Sequence, residues 1–213
     1  NQVFFFSSNS NVHVREEICR ELDILTEALS DKYLGLPTMV GVERSDCFQH
    51  LIYRVYQRLK GWKEKVLSMQ GKEILLKSVA QAIPSYAMSV FKLPKGIRKA
   101  ITDEISGFWW GDNEEKRKMH WLNWPNMTRS KLHGGMGFRD IATFNLAMLG
   151  KQGWRLMMKP QSLFARVLKG KYYPHCDFMQ ANKGKHSSHT WQAIISGRTV
   201  LNMGLIKRVG TGT

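Results

Sequence analysis

Carboxylates are scarce in this 213-residue chain: 17 Asp and Glu stand against 32 Lys and Arg, and only nine of the 17 lie beyond residue 50. That shortage bears on catalysis first. A two-metal polymerase or nuclease needs carboxylates converging on a pair of divalent ions, usually from strand ends. The adjacent acidic pairs, Glu16-Glu17, Asp103-Glu104 and Glu114-Glu115, fall on expected helix surfaces or in a charged loop, where they read as solvated charge. The sequence also lacks a G-x-S-x-G elbow, a P-loop and an H-E-x-x-H pair. Cysteine is equally sparse. Cys19, Cys47 and Cys176 are odd in number and far apart, which excludes a disulfide framework and indicates a reducing compartment. No run of about 18 apolar residues exists, so no bilayer-spanning helix is expected. A basic segment ahead of the short apolar run Val3-Phe4-Phe5-Phe6 is missing too, so no secretory leader is read, and the acceptor triplet Asn126-Met127-Thr128 is a chance match. The expected location is intracellular, with nucleus and cytoplasm both open. A chain that opens on Asn1 is expected to be a piece of a longer one.

What is present is a globular composition with an extreme charge. Hydrophobic residues make up 43% and charged ones 23%, enough to bury a core, and the net charge is +15 with a pI near 9.9. A field of that sign attracts polyanions. Its distribution is more telling than its total: residues 1–50 carry −4, 51–100 carry +9, 101–150 carry 0 and 151–213 carry +10. Two basic blocks around a neutral one suit two surfaces following a phosphate backbone, so nucleic acid is the expected partner and no membrane is.

Periodicity predicts a mainly α fold with one short strand at the N-terminus and few others. Val3–Phe6 reads as that strand, ended by Ser7-Ser8-Asn9-Ser10-Asn11. A helix is expected over 14–23 with Val14, Ile18 and Leu22 on one face. Tyr33-Leu34-Gly35-Leu36-Pro37 cannot be helical and reads as an extended segment that re-enters the core. The stripe Phe48, Leu51, Ile52, Val55, Leu59 predicts a helix over 45–59, with Gly61-Trp62 as a joint. Helices are expected from Gly71 to Pro84 (Leu76, Val79, Ala80 and Ile83 inward), over 95–110 (Ile97, Ile101, Ile105, Phe108 and Trp109 inward, closed by Gly111), over 140–158, 162–173, and 190–203 capped by Thr190. Leu146 and Leu149 join the expected core. His120–Trp124 reads as a short strand or turn, and Ile206–Val209 as the start of another strand.

Two constellations have a plainer reading than the sharp one. His175-Cys176 with His186-x-x-His189 offers zinc-type ligands, but the nine-residue gap within one polar loop matches no strong spacing, and these are read as loop residues. Gly134-Gly135-x-Gly137 lacks both a preceding strand and the Lys-Ser/Thr of a phosphate loop, and is read as a turn. The basic helices carry more. Lys63, Lys65, Lys72 and Lys77 lie near expected helix starts, where backbone N–H groups add to their charge. With Arg54 and Arg58 they form the first candidate phosphate-contacting surface, and Lys151, Arg155, Lys169 and Lys171 form a second. The alternative is a solvated basic face. The seven tryptophans could stack bases, although most are expected in the core.

The order of several short words is specific where each alone is weak. Tyr33-Leu34-Gly35-Leu36-Pro37, Gly61-Trp62-Lys63, Gly71-Lys72-Glu73, Gln81-Ala82-Ile83-Pro84, Phe91-Lys92-Leu93-Pro94 and Phe108-Trp109-Trp110-Gly111 are followed by Gly134-Gly135-Met136-Gly137-Phe138-Arg139-Asp140, Phe144-Asn145-x-Ala147, Lys151-Gln152-Gly153-Trp154-Arg155 and Lys171-Tyr172-Tyr173-Pro174. This succession, over nearly the whole chain, resembles plant-type non-LTR (LINE-type) retroelement reverse transcriptases in the region after the polymerase active site. The resemblance implies an end of palm and palm-to-thumb segment over 1–43, a helical thumb over 44–111 and a helical connection over 112–213. Gly35 and Pro37 match the palm-to-thumb segment. It further implies metal-binding aspartates upstream, with their Mg²⁺, and a zinc-binding segment and commonly a ribonuclease H domain downstream; none of these lies in this chain. No catalytic residue can be carried over, and no cofactor or metal is expected here. The implied partners are an RNA or DNA template-primer and the remainder of a parent polyprotein. The competing readings are a decayed or domesticated structural fragment with no ligand, and an enzyme inheriting polymerase or ribonuclease H activity. Because no carboxylate set converges, the purified chain is expected to extend no primer with Mg²⁺ or Mn²⁺, which a primer-extension gel checks.

Overall fold

The computed structural model describes residues 11–21, 32–33, 35–37, 46–63, 65, 67–112, 118–184 and 187–205. The chain forms two compact units, Asn1–Glu43 and Arg44–Thr213. In the first, α1 spans Val12–Glu21, two residues N-terminal of the expected helix, and Val14 is exposed, not on a packed face. The Tyr33–Pro37 segment is a tight antiparallel hairpin, β1 Lys32–Tyr33 with β2 Leu36–Pro37, in which Tyr33 pairs with Leu36 across Gly35 at φ 78°. The turn needs a left-handed residue, which is why glycine stands there. The strands expected at Val3–Phe6 and Ile206–Val209 lie outside the described residues.

The second unit is built of helices joined by turns and loops, with no strand among its described residues. A 3₁₀ turn, Asp46–Phe48, leads into α2, Gln49–Lys63, which buries Phe48, Leu51, Val55 and Leu59. The expected joint at Gly61-Trp62 does not form. Trp62 sets its ring edge-on to Phe108 at 6.0 Å, and that packing carries the helix on to Lys63. Ser68 caps α3, Met69–Leu75, by accepting the Gly71 N–H at 3.1 Å. The helix then widens into a π turn over Leu76–Ala80, and after a turn restarts as α4, Ser85–Met88. The expected single helix up to Pro84 is therefore interrupted. The reason is tertiary: Gln81, 2% exposed, exchanges hydrogen bonds with the Arg139 backbone, accepting at 3.2 Å and donating at 3.4 Å.

Helix α5, Lys95–Trp110, has the expected buried side and ends at Gly111 in the left-handed conformation, φ 79°. It packs against both α2 and α7. No strand forms at His120–Trp124. The His120 ring is held instead, stacked on Trp110 at 5.8 Å and bonded to Asp112 at 3.1 Å, and Asn123 then caps the short α6, Trp124–Met127. Asp140 caps α7, Ile141–Met158, and Ser162 caps α8, Leu163–Tyr172. The expected last helix is two: Ser188, not Thr190, caps α9, His189–Ser196, and α10 follows over Arg198–Gly204. The break at Gly197 is a backbone contact. A β-carbon there would sit 2.5 Å from the Gly150 nitrogen, so α7 and the α9–α10 corner meet main chain to main chain. Among the described residues no helix is long and apolar enough to cross a membrane.

Asn145, 1% exposed, joins the halves of this unit. Its Oδ1 accepts from Leu93 N–H at 2.9 Å, and its Nδ2 donates to the carbonyls of Met88 and Phe91 at 2.8 and 2.9 Å. Leucine has the same branching and number of side-chain heavy atoms but can make none of the three bonds. Asn145→Leu is expected to destabilise the chain by ~3 kcal/mol or more, since a buried donor and two acceptors lose their partner; urea unfolding followed by circular dichroism measures it.

Candidate nucleic-acid interface

The outward face of α2 carries the first group. Arg54 and Arg58 are exposed and one helical turn apart, about 6 Å along the axis. Lys63 ends the helix and Lys65 follows, both exposed. Lys60, which the charge map did not single out, is exposed on the same helix, and Tyr53 presents an accessible ring beside Arg54. In the second group, Lys151 and Arg155 stand one turn apart on α7, and Lys159 extends their i, i+4 row to the helix end. The i, i+4 spacing of Lys159 from Arg155 is the sequence signal that marks it. Trp154 is 44% exposed beside them, open to stacking. Lys169 and Lys171 lie in the last turn of α8, exposed, with the Lys171 ammonium over the Tyr172 ring at 5.4 Å. The Arg155 guanidinium lies 5.7 Å from the Phe164 ring centroid. Among the described residues none of these exposed cations pairs with a carboxylate. Helix α2 and helix α7, which carries Lys151 and Arg155 of the second group, share α5 as a packing partner.

Lys72 and Lys77 are placed differently. Both are half-buried, and the Lys72 ammonium sits over the Phe108 ring at 5.6 Å. Lys77 donates to Glu73 at 2.7 Å and to the Met136 carbonyl at 2.6 Å, and lies over Phe138 at 5.4 Å. Its partner segment is the glycine-rich turn. The Met127 carbonyl accepts from both Met136 and Phe138, Gly134 and Gly137 have φ of 74° and 68°, and a β-carbon on Gly135 would meet the Arg129 carbonyl. The turn is thus a packed structural element latched by Lys77, as its lack of a phosphate-loop signature indicated. Arg198, outside both groups, is also structural: its Nη1 donates to the carbonyls of Phe178, Met179 and Ala181 at 3.2, 2.9 and 2.7 Å.

Glu73 accepts from a second ammonium, Lys131, at 2.7 Å. The hydrogen bonds from Lys131 and Lys77 hold its carboxyl below the usual carboxylate range. Tyr173 is shifted the other way, its phenol pushed up by burial and by Cys176 beside it. Among the described residues no cluster of three or more His, Cys, Asp or Glu suits a metal ion; His186 lies outside them.

The chain is 42% identical over 132 residues to the uncharacterized mitochondrial protein AtMg00310 of Arabidopsis thaliana, a match covering 62% of this chain and 86% of that protein. It is 34% identical over 176 residues to "Putative ribonuclease H protein At1g65750" of the same plant, covering 80% of this chain but 28% of that protein. No family model and no solved structure matches.

The Glu73 latch has a pH signature. A carboxyl whose pKa is lowered in the folded state contributes stability above its unfolded value, and that contribution disappears as pH falls through the folded value. Glu73→Gln is therefore expected to be less stable than the parent at neutral pH, with the difference closing below about pH 4. Thermal unfolding of both proteins across that range checks the sign.

Proposed function

This chain belongs to the family of the mitochondrial protein it matches over most of that protein's length, and we propose that it is a retroelement-derived, non-catalytic piece that grips nucleic acid through basic helical faces. The wider reading is a thumb and connection region of a non-LTR reverse transcriptase. It is supported by the ordered sequence words and by the relative named as a ribonuclease H protein. The observation that carries the gripping role is the set of eight exposed cations, Arg54, Arg58, Lys63, Lys65, Lys151, Arg155, Lys169 and Lys171, with no carboxylate partner among the described residues. Cations serving only the fold behave like Lys77 and Arg198 and take protein acceptors. These eight are exposed, with only Arg155 and Lys171 leaning on a neighbouring ring, in a chain of net +15.

Contacts of this kind go to phosphates and carry no sequence information. Each cation on a phosphate releases condensed counterions, so affinity should fall steeply with salt and depend little on sequence. Replacing Arg54, Arg58, Lys63 and Lys65 by Ala is expected to flatten the log–log salt slope by roughly three and a half units on duplex. Lys77→Ala should lower stability more than it changes the slope. Fluorescence anisotropy with labelled duplex and single strand at several salt concentrations measures both. An unchanged slope in the quadruple variant would mean that this face is only solvated charge.

A further inference from the structure

A cavity of about 410 Å³ opens between the end of α7, helix α8 and the turn that follows it. That volume is in the range of sites for small organic ligands. Its apolar lining includes the part-exposed Met157 and Met179, with the nearly buried Leu156 and Phe178 behind them. The wall is also held in place without a ligand. Arg198 ties the carbonyls of 178, 179 and 181 to the core, and Tyr173 and Phe178 both pack on the fully buried Trp191.

The polar groups on that wall are few and uncommitted. Tyr173 is 6% exposed, with its ring stacked on Trp191 at 5.3 Å, and among the described residues no side-chain hydrogen bond engages its hydroxyl. A hydroxyl both donates and accepts, and this one belongs to a cavity-lining residue. Burial keeps its phenol neutral, so it can donate. Asp177 is the lone carboxylate of residues 151–213, a block of net +10, and it too lies on the cavity. A carboxylate is an acceptor only, so its complement is an amino group. Lys169 lies one turn before Tyr173, whose N–H bonds its carbonyl at 3.1 Å, and supplies an exposed ammonium to the same wall.

We propose that this cavity seats one unpaired, amino-bearing nucleobase, with its ring on Met157 and Met179, its amino group toward Asp177, a ring acceptor toward the Tyr173 hydroxyl, and its phosphate on Lys169. The identity of the ligand rests on the nucleic-acid reading above; the existence of the site rests on the cavity. The base comes either from a free nucleotide or from a nucleotide turned out of a strand, and the chemistry of recognition is the same.

Cys176 lines the cavity as a free thiol and reports its occupancy. In the full chain, alkylation by iodoacetamide can be mapped at Cys176 with Cys19 and Cys47 as internal references. Adenosine 5′-monophosphate is expected to slow alkylation of Cys176 and leave the other two unchanged, while ribose 5-phosphate does nothing. Tyr173→Phe, which keeps the ring stack, should weaken that protection by about tenfold, the worth of one hydrogen bond. Met157→Trp, which fills the cavity, should abolish it. Protection by oligoadenylate at far lower concentration than the mononucleotide would assign the base to a strand, and equal potency per nucleotide would assign it to a free nucleotide. Equal protection by ribose 5-phosphate, protection that survives Met157→Trp, or none from millimolar mononucleotide overturns the proposal. The two readings fail separately. A flat salt response with intact mononucleotide protection removes the gripping role alone, and lost protection in Met157→Trp with an unchanged salt slope keeps both.

Discussion

The arrangement of the larger unit depends on one buried amide. Asn145 projects from α7 into the connection between α4 and α5 and satisfies the Leu93 N–H and the carbonyls of Met88 and Phe91 together. Those groups lie where Pro94 starts a new helix and cannot itself donate, so the connection has no helical ladder of its own to complete them. Once they are tied to α7, the start of α5 is placed, and α5 in turn receives the stripe of α2. A second fixed point lies further along α7. Gly150 and Gly197 allow main chain to approach main chain, and a β-carbon on Gly153 would meet Phe178 at 2.8 Å. Helix α7 therefore holds one neighbour by hydrogen bonds and another by close approach, and its remaining surface is free to carry Lys151 and Arg155.

The positive charge divides into two kinds by the same logic. A half-buried ammonium keeps its charge only if acceptors replace the water it lost. Lys77 finds Glu73 and the Met136 carbonyl, and Arg198 finds three carbonyls, so both charges are consumed in holding turns. Those on the outer faces of α2, α7 and α8 find no carboxylate or carbonyl among the described residues and stay exposed to water. Charge that is hydrated and unpaired is the kind that can be exchanged for phosphate at little desolvation cost, which links burial to the proposed gripping role.

Much of this was legible before any coordinates. Phe48, Leu51, Val55 and Leu59 of the first stripe, with Ile52 half-buried at its edge, and the face from Ile97 to Trp109 are buried as their spacing required, because a helix of period 3.6 with one apolar side has a single way to hide it. Gly111 stops α5 for an equally local reason, since only a left-handed residue closes that end without strain. Legibility failed where partners distant in sequence intervene. Gln81 reaches Arg139, 58 residues away, and the helix carrying it is widened and broken. Trp62 finds Phe108 and removes an expected joint. Gly197 lies on Gly150, and one expected helix becomes two.

The sequence by itself determined the helical class, the inner faces of α2 and α5, the glycine-rich turn and the sign of the surface, because each follows from periodicity, from backbone freedom at one residue or from a count of charges. Only the tertiary structure decided which cations are free. Lys63 and Lys77 look alike in a list of basic residues near helix ends, and they differ because one faces solvent while the other has Glu73, a carbonyl and an aromatic ring within reach. The cavity beside Tyr173 was likewise absent from any local pattern. It arises from the space left between α7, α8 and a turn held by Arg198, and such a space is a property of packing in three dimensions.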